Sequence, residues 1–184
     1  MKKKTTGIRR AFCILILLVA GSCTFDYGET GSSDRELPDL VMENVEYVRV
    51  RSADPIARIQ AERAERYEQQ GLMKLENFSF EQYGDRGRSV NVYGRAGHAE
   101  VEINSGNILM NNGVMLDVES EDITIETNQI VWIDEENALS SGERELVIIY
   151  QKNGTIIEGE GLSADARRRS WDFSGVVSGT YYED

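Results

Sequence analysis

Catalysis requires a base, a nucleophile or a metal held at short range, and this chain offers few groups for those roles. His98 is its one histidine and lies between Gly97 and Ala99 in an extended stretch, with no serine or cysteine beside it to be activated. An imidazole so placed reads as a solvated or edge-strand side chain. Carboxylates gather at Glu135-Glu136 and at Glu119, Glu121 and Asp122. They could serve general acid-base work or weak calcium binding, but both clusters fall in polar turns, where a solvated face is the default. Gly159-Glu160-Gly161 has neither the strand-to-helix setting nor the lysine of a phosphate loop. The expectation is a protein with no catalytic residue, no metal and no cofactor.

Cys23 is the residue with reactive context. Lys2, Lys3, Lys4, Arg9 and Arg10 precede an apolar run from Ala11 to Gly21. A run of about ten residues is roughly half of what a spanning helix needs, so residues 1–22 read as a signal peptide and the chain as exported. Ala20-Gly21-Ser22-Cys23 resembles the lipobox of bacterial lipoproteins, with Ala20 where a leucine is usual. The resemblance implies that Cys23 is acylated and becomes the new N-terminus. An ordinary signal peptide and an uncleaved anchor are the alternatives, the second disfavoured by the short run. Cys13 would leave with the signal, so no internal disulfide is available.

Removing the five basic residues of 1–22 takes the formal charge from −12 to −17 over the remaining 162 residues. Arg167-Arg168-Arg169 is the largest basic patch, which argues against nucleic acid as a partner. The same charge makes an anionic bilayer a poor electrostatic partner, so a membrane association would rest on a lipid anchor. Residues 23–37 read as a lipidated N-terminus and tether ending at Pro38, and residues 38–184 as one domain.

The elements of that domain read as strands. A three-position apolar spacing recurs at Ala61 and Ala64, at Ala96, Ala99 and Val101, and at Thr127, Ile130 and Trp132, about 30 to 35 residues apart, as in stacked repeats. Each copy is read as opening a short strand, and the three-residue step as a bulge with both small side chains inward. A helix competes at residues 59–70, which are rich in Gln, Glu, Arg and Ala, but the recurrence among Val90, Val92, Val101 and Ile103 favours strand. Turns are expected at Asp54-Pro55, residues 84–87, Ser105-Gly106, residues 111–113, residues 134–137 and Asn153-Gly154. Trp171, Phe173, Val176 and Val177 close the domain. Alternation with turns between predicts an all-β sandwich, barrel or solenoid-like stack with no substantial helix, one face apolar and one wet.

Several segments, in this order and spacing, carry a family resemblance. They are residues 61–67 (AERAERY), residues 94–101 (GRAGHAEV) leading to residues 113–116 (GVML), residues 127–130 (TNQI), residues 140–143 (SSGE) and residues 154–162 (GTIIEGEGL). From about Val45 to Tyr182 the chain resembles the LptC family of the lipopolysaccharide export system and, more broadly, LptA and OstA-type β-jellyrolls. The resemblance implies an open, twisted antiparallel jellyroll of two sheets around a groove for acyl chains. It implies groove lining by Phe78, Phe80, Val101, Ile103, Val114, Leu116, Ile130, Trp132, Ile149, Ile157, Trp171 and Phe173, about half of which could equally be packed core. The implied partners are an inner-membrane lipopolysaccharide ABC transporter at the N-terminal edge, an LptA-like bridging jellyroll at the C-terminal edge, and lipopolysaccharide or another glycolipid as cargo. The implied place is the periplasm, anchored to the inner membrane, with the outer membrane as the alternative. Family members commonly keep an N-terminal membrane helix where this chain has a lipobox. The rival from another class is a structural or adhesive surface β-repeat lipoprotein with a dry core and no cargo.

Overall fold

The computed structural model describes residues 37–182. The signal peptide, Cys23 and all but the last residue of the tether lie outside the described residues. Twelve strands follow in chain order: β1 (Leu40–Arg51), β2 (Asp54–Tyr67), β3 (Leu72–Gly84), β4 (Ser89–Glu102), β5 (Ile108–Val118), β6 (Ile123–Ile133), β7 (Ala138–Ser140), β8 (Leu146–Gln151), β9 (Ile156–Glu160), β10 (Leu162–Asp165), β11 (Ser170–Phe173) and β12 (Val177–Thr180). Two single-turn 3-10 segments, Asp85–Gly87 and Glu119–Glu121, are the only helical elements among them. Every pairing is antiparallel, and from β1 to β7 each strand returns beside the last through a short turn.

A crease runs across the sheet and explains its shape. The ladders skip Asn44 opposite Glu62, Glu62 opposite Asn77, and Asn77 opposite Gly97. They slip by one residue where Gly97 meets Asn112-Gly113, and again where that pair meets Asn128. Asn44, Asn77 and Asn112 adopt left-handed φ of 51°, 48° and 64°, a conformation asparagine tolerates better than other side chains. Gly97 is required for close approach: a Cβ there would lie 2.9 Å from the Asn112 backbone oxygen. Further along, the same line passes between β7 and β8, through Gly161 between β9 and β10, and through residues 174–176 between β11 and β12. The last three pairs are therefore bent strands too, and the molecule is a stack of nine.

The crease splits the sheet into two layers. The first holds the start of β1, the end of β2, the start of β3 and so on to the end of β6, which pairs β7, then β10 and β11. The second holds the other halves, with the start of β6 pairing β8, then β9 and β12. Side chains from both layers meet in one apolar cluster that includes Ala64, Leu75, Met110, Ile130 and Leu162 from the first and Ala61, Phe78, Leu116, Val147 and Ile149 from the second. This is the two-sheet antiparallel jellyroll that the family resemblance implies.

The periodicity had a different local cause from the one expected. Ala61–Ala64 and Ala96–Ala99 straddle the crease in mid-strand rather than opening strands, and the three-residue step puts one alanine inward in each layer. The β2–β3 and β3–β4 ladders keep their register across it, so the step is a bend without an inserted residue; the true bulge lies in β5, at Asn112-Gly113. Residues 111–113 are accordingly not a turn. The first turn is Ser52-Ala53, both at left-handed φ, and Asp54 and Pro55 already belong to β2. Pro55 is tolerated because β3 pairs β2 only from Ala57 onward, so its missing N–H leaves no gap on that side. The segment in which a helix competed is strand as far as Tyr67.

Candidate functional site

The inner faces of the two layers carry apolar residues in transverse rows, fixed by register. In the first layer, the row beside the crease runs Met42, Ala64, Leu75, Ala99, Met110, Ile130 across six strands. Its last five members are at most 2% exposed. Two residues further out, at the free lip of the layer, a second row runs Met73, Val101, Ile108, Trp132, Leu139, Ala164, Trp171. Its members are half-buried except Trp171, which is 38% exposed. In the second layer, the matching row runs Tyr47, Ile59, Phe80, Gly94, Leu116, Ile125, Ile149, Ile157. The interior is thus continuous from end to end and dry beside the crease; in the first layer it opens toward the lip, whereas in the second Leu116, Ile125 and Ile149 of this outer row stay buried.

The twelve sequence-predicted lining residues divide by exposure. Phe78, Val114, Leu116, Ile130 and Ile149 are buried in the central cluster. Phe80, Val101, Trp132, Ile157 and Phe173 pack against it from partly open positions. Trp171 sits at the lip, and Ile103, 40% exposed, has left β4 for the turn that follows. Pattern reading missed Leu75, Met110, Val147 and Leu162 in the interior and Met73, Ile108 and Leu139 at the lip. Inward parity restarts at the crease, so alternate residues outward from Leu75 reach Met73 just as those outward from Ala99 reach Val101.

Both ends of the stack are open. Among the described residues β1 pairs with β2 alone, and it leaves inward-facing Leu40 and Tyr47 exposed. At the other end β11 and β12 are the terminal strands of the two layers, with Val177, Tyr181 and Tyr182 exposed. Phe173 joins the layers there: its ring covers Gly159 of β9 so closely that a Cβ would fall 2.6 Å from it. Trp171 meets Phe173 edge-on at 5.7 Å between ring centroids. A polar cleft of about 460 Å³ lies beside this end, where Trp171 and Arg168 share the wall with Asp165, Asp172 and Ser163.

The outer face is charged and internally paired. Glu65 accepts from the Tyr67 hydroxyl at 2.7 Å and from Arg63 at 2.7 and 2.9 Å. These bonds, the tyrosine's first, hold its carboxyl below the ordinary value, and the bond to Glu65 pushes the Tyr67 hydroxyl up. His98 faces Glu100 at 3.5 Å on the same outer face. Two of the turn carboxylates are engaged as ordinary surface partners: Asp122 accepts from Lys152 at 2.9 Å and Glu121 lies 3.5 Å from Arg169, while at Glu135 the backbone carbonyl accepts from Arg167.

One carboxylate serves the crease itself. Glu145 Oε1 accepts from the Thr127 hydroxyl and from the backbone N–H groups of Asn128 and Gln129 at 3.0 to 3.1 Å. Those amides lie where β6 passes from β8 to β7, so the side chain replaces ladder bonds the fork removes.

No curated protein sequence matches the chain. Among solved structures, the crystal structure of LptH from Pseudomonas aeruginosa, described as the LptA homologous periplasmic component of the conserved lipopolysaccharide transport device, superposes with a TM-score of 0.53 at 13% identity. The match covers 69% of this chain and 95% of that one and concerns the fold alone. The sequence itself matches the family described as "Lipopolysaccharide-assembly, LptC-related" over residues 11–183. With nearly its whole length matched, the chain belongs to the LptC-related family.

Proposed function

We propose that this protein is a periplasmic bridge component of lipopolysaccharide transport, a carrier rather than a catalyst. On this reading it accepts lipopolysaccharide or a related glycolipid from an inner-membrane ABC transporter docked on β1 and passes it to an LptA-like jellyroll added to β11 and β12. Cys23, acylated, tethers it to the inner membrane. The observation that carries the reading is the apolar interior, continuous through nine bent strands and ending at strand edges that are unpaired among the described residues and carry exposed apolar side chains. Strand addition to such edges forms main-chain hydrogen bonds and prolongs the interior into the next molecule. The strong negative charge opposes phosphate-bearing headgroups, so on this reading they stay outside the groove or carry divalent cations.

Photo-crosslinkers at Val48 in β1 and at Ser178 in β12 test the direction. Different partners should be captured at the two positions, and lipid should copurify with the chain. Capture of one partner at both positions would count against a directional bridge. The structural lipoprotein with a dry core draws support from the near-complete burial of the row beside the crease. Failure to acquire lipid would favour it.

A further inference from the structure

The ion pair between Arg169 and Glu121 joins the two lips of the jellyroll. Arg169 belongs to the 166–169 loop at the free end of the first layer, whereas Glu121 ends the 3-10 turn at the free end of the second. Their Nε and Oε1 atoms are 3.5 Å apart. Every other ion pair among the described residues lies within one layer. The contact is diagonal across the stack, as mutually twisted sheets require. It bridges the side of the molecule opposite the crease, through which a bulky headgroup must project when acyl chains occupy the interior.

The loop's three arginines have different engagements. Asp165 Oδ1 accepts the backbone N–H groups of Arg167 and Arg168 at 2.8 and 2.9 Å, which fixes the loop. Arg167 donates to the Glu135 carbonyl and Arg168 lies 3.5 Å from Asp165, both within the first layer. Arg169, at a left-handed φ of 52°, reaches the opposite lip with its side chain 71% exposed. A single carboxylate at this distance in water is a weak partner, and a phosphate monoester offers the guanidinium a stronger, bidentate one.

Building on the carrier reading above, we propose that Arg169 is a receiving site for the phosphate-bearing headgroup of an amphiphilic cargo, for which Glu121 is the intramolecular stand-in. When the headgroup takes the guanidinium, the tie between the lips opens. The neighbouring cleft gives room for the uncharged polar part of the headgroup, since Asp165 and Asp172 in its wall disfavour a second anion there.

The two partners should then respond oppositely. The full chain in nanodiscs of neutral lipid is titrated with a photoreactive alkyl phosphate and with a matched alkyl glucoside. Arg169→Gln should weaken capture of the alkyl phosphate by up to about fivefold, the scale of an exposed charge interaction. Glu121→Gln, which removes the competing carboxylate, should strengthen it, and Arg169→Lys should keep part of it. Glucoside capture should be unchanged in all three, and inorganic phosphate at equal concentration should not displace the amphiphile. A shift of the same sign in both Gln variants, or equal shifts for both amphiphiles, would mean a structural clasp and overturn the proposal. So would displacement by inorganic phosphate, which would mark a site for a soluble anion. Capture of the glucoside with alkyl phosphate capture insensitive to both substitutions overturns the headgroup site while the carrier stands. Capture of neither amphiphile by the unaltered protein removes the carrier reading and this site with it.

Discussion

Glu145 shows how one side chain can hold a topological feature in place. The β6 strand must leave one neighbour for another, and at that fork two amides would otherwise lose their acceptors. Asn128 and Gln129 are exposed, so water partly replaces the carboxylate and the loss is the net worth of such bonds, about 0.5–1.5 kcal/mol. Glu145→Ala should lower stability by about that amount in urea unfolding, with faster amide exchange confined to Asn128 and Gln129. Glu65 makes a prediction about pH. Its folded pKa is depressed by the Tyr67 and Arg63 bonds, so its contribution is present above the unfolded value near about 4.3 and is lost as pH falls through the folded one. Asp165 behaves alike, because the Arg168 and Arg167 amides favour its charged form. Stability should therefore fall on acidification below about pH 5, and Glu65→Gln should flatten that fall. An unchanged slope in the variant would refute the assignment.

Among the elements, the crease decides most of the fold, and the sequence displays it only in part. The recurrence of small or apolar pairs every 31 to 35 residues was legible because crease positions 62, 97, 128 and 161 share a period, one per two bent strands. Its meaning was not. A three-residue step arises equally from an inserted residue or from a bend, and only the register of the neighbouring strand separates them. Asn112-Gly113 misled in the same way, since the pair that makes a hairpin turn also makes a bulge when both flanks continue as strand. Left-handed φ at Asn112 gives the test. Asn112→Val forces a β-branched side chain into that region and should destabilise by about 1–3 kcal/mol, whereas Asn112→Gly should stay within about 1 kcal/mol of the parent. Equal losses in both variants would mean that the crease does not rely on that conformation.

For the molecule as a whole, the open question in the sequence was whether large apolar side chains line a groove or fill a core, and the gradient of exposure divides them. Composition and alternation cannot tell the two apart, because both require apolar residues at every second position. Exposure can, and in the first layer it follows distance from the crease. Phe78 and Val114, each 2% exposed, have neighbours on all sides, so a charge there has nowhere to be hydrated. Val101 and Trp132 are half-buried in the lip row and border open space. A buried unpaired charge costs several kcal/mol, roughly, while one that water reaches costs far less. Val114→Arg should therefore unfold the domain or lower its thermal transition by well over ten degrees, given about 2–4 degrees per kcal/mol at this size. Val101→Glu should shift the transition by only a few degrees. If acyl chains travel between the lips, that same variant should lose lipid acquisition with its strand signal in circular dichroism intact. Retention of full lipid acquisition by Val101→Glu and Trp132→Glu, both folded, would exclude the lip row from the lipid path and leave the stack a closed β-structure that carries nothing.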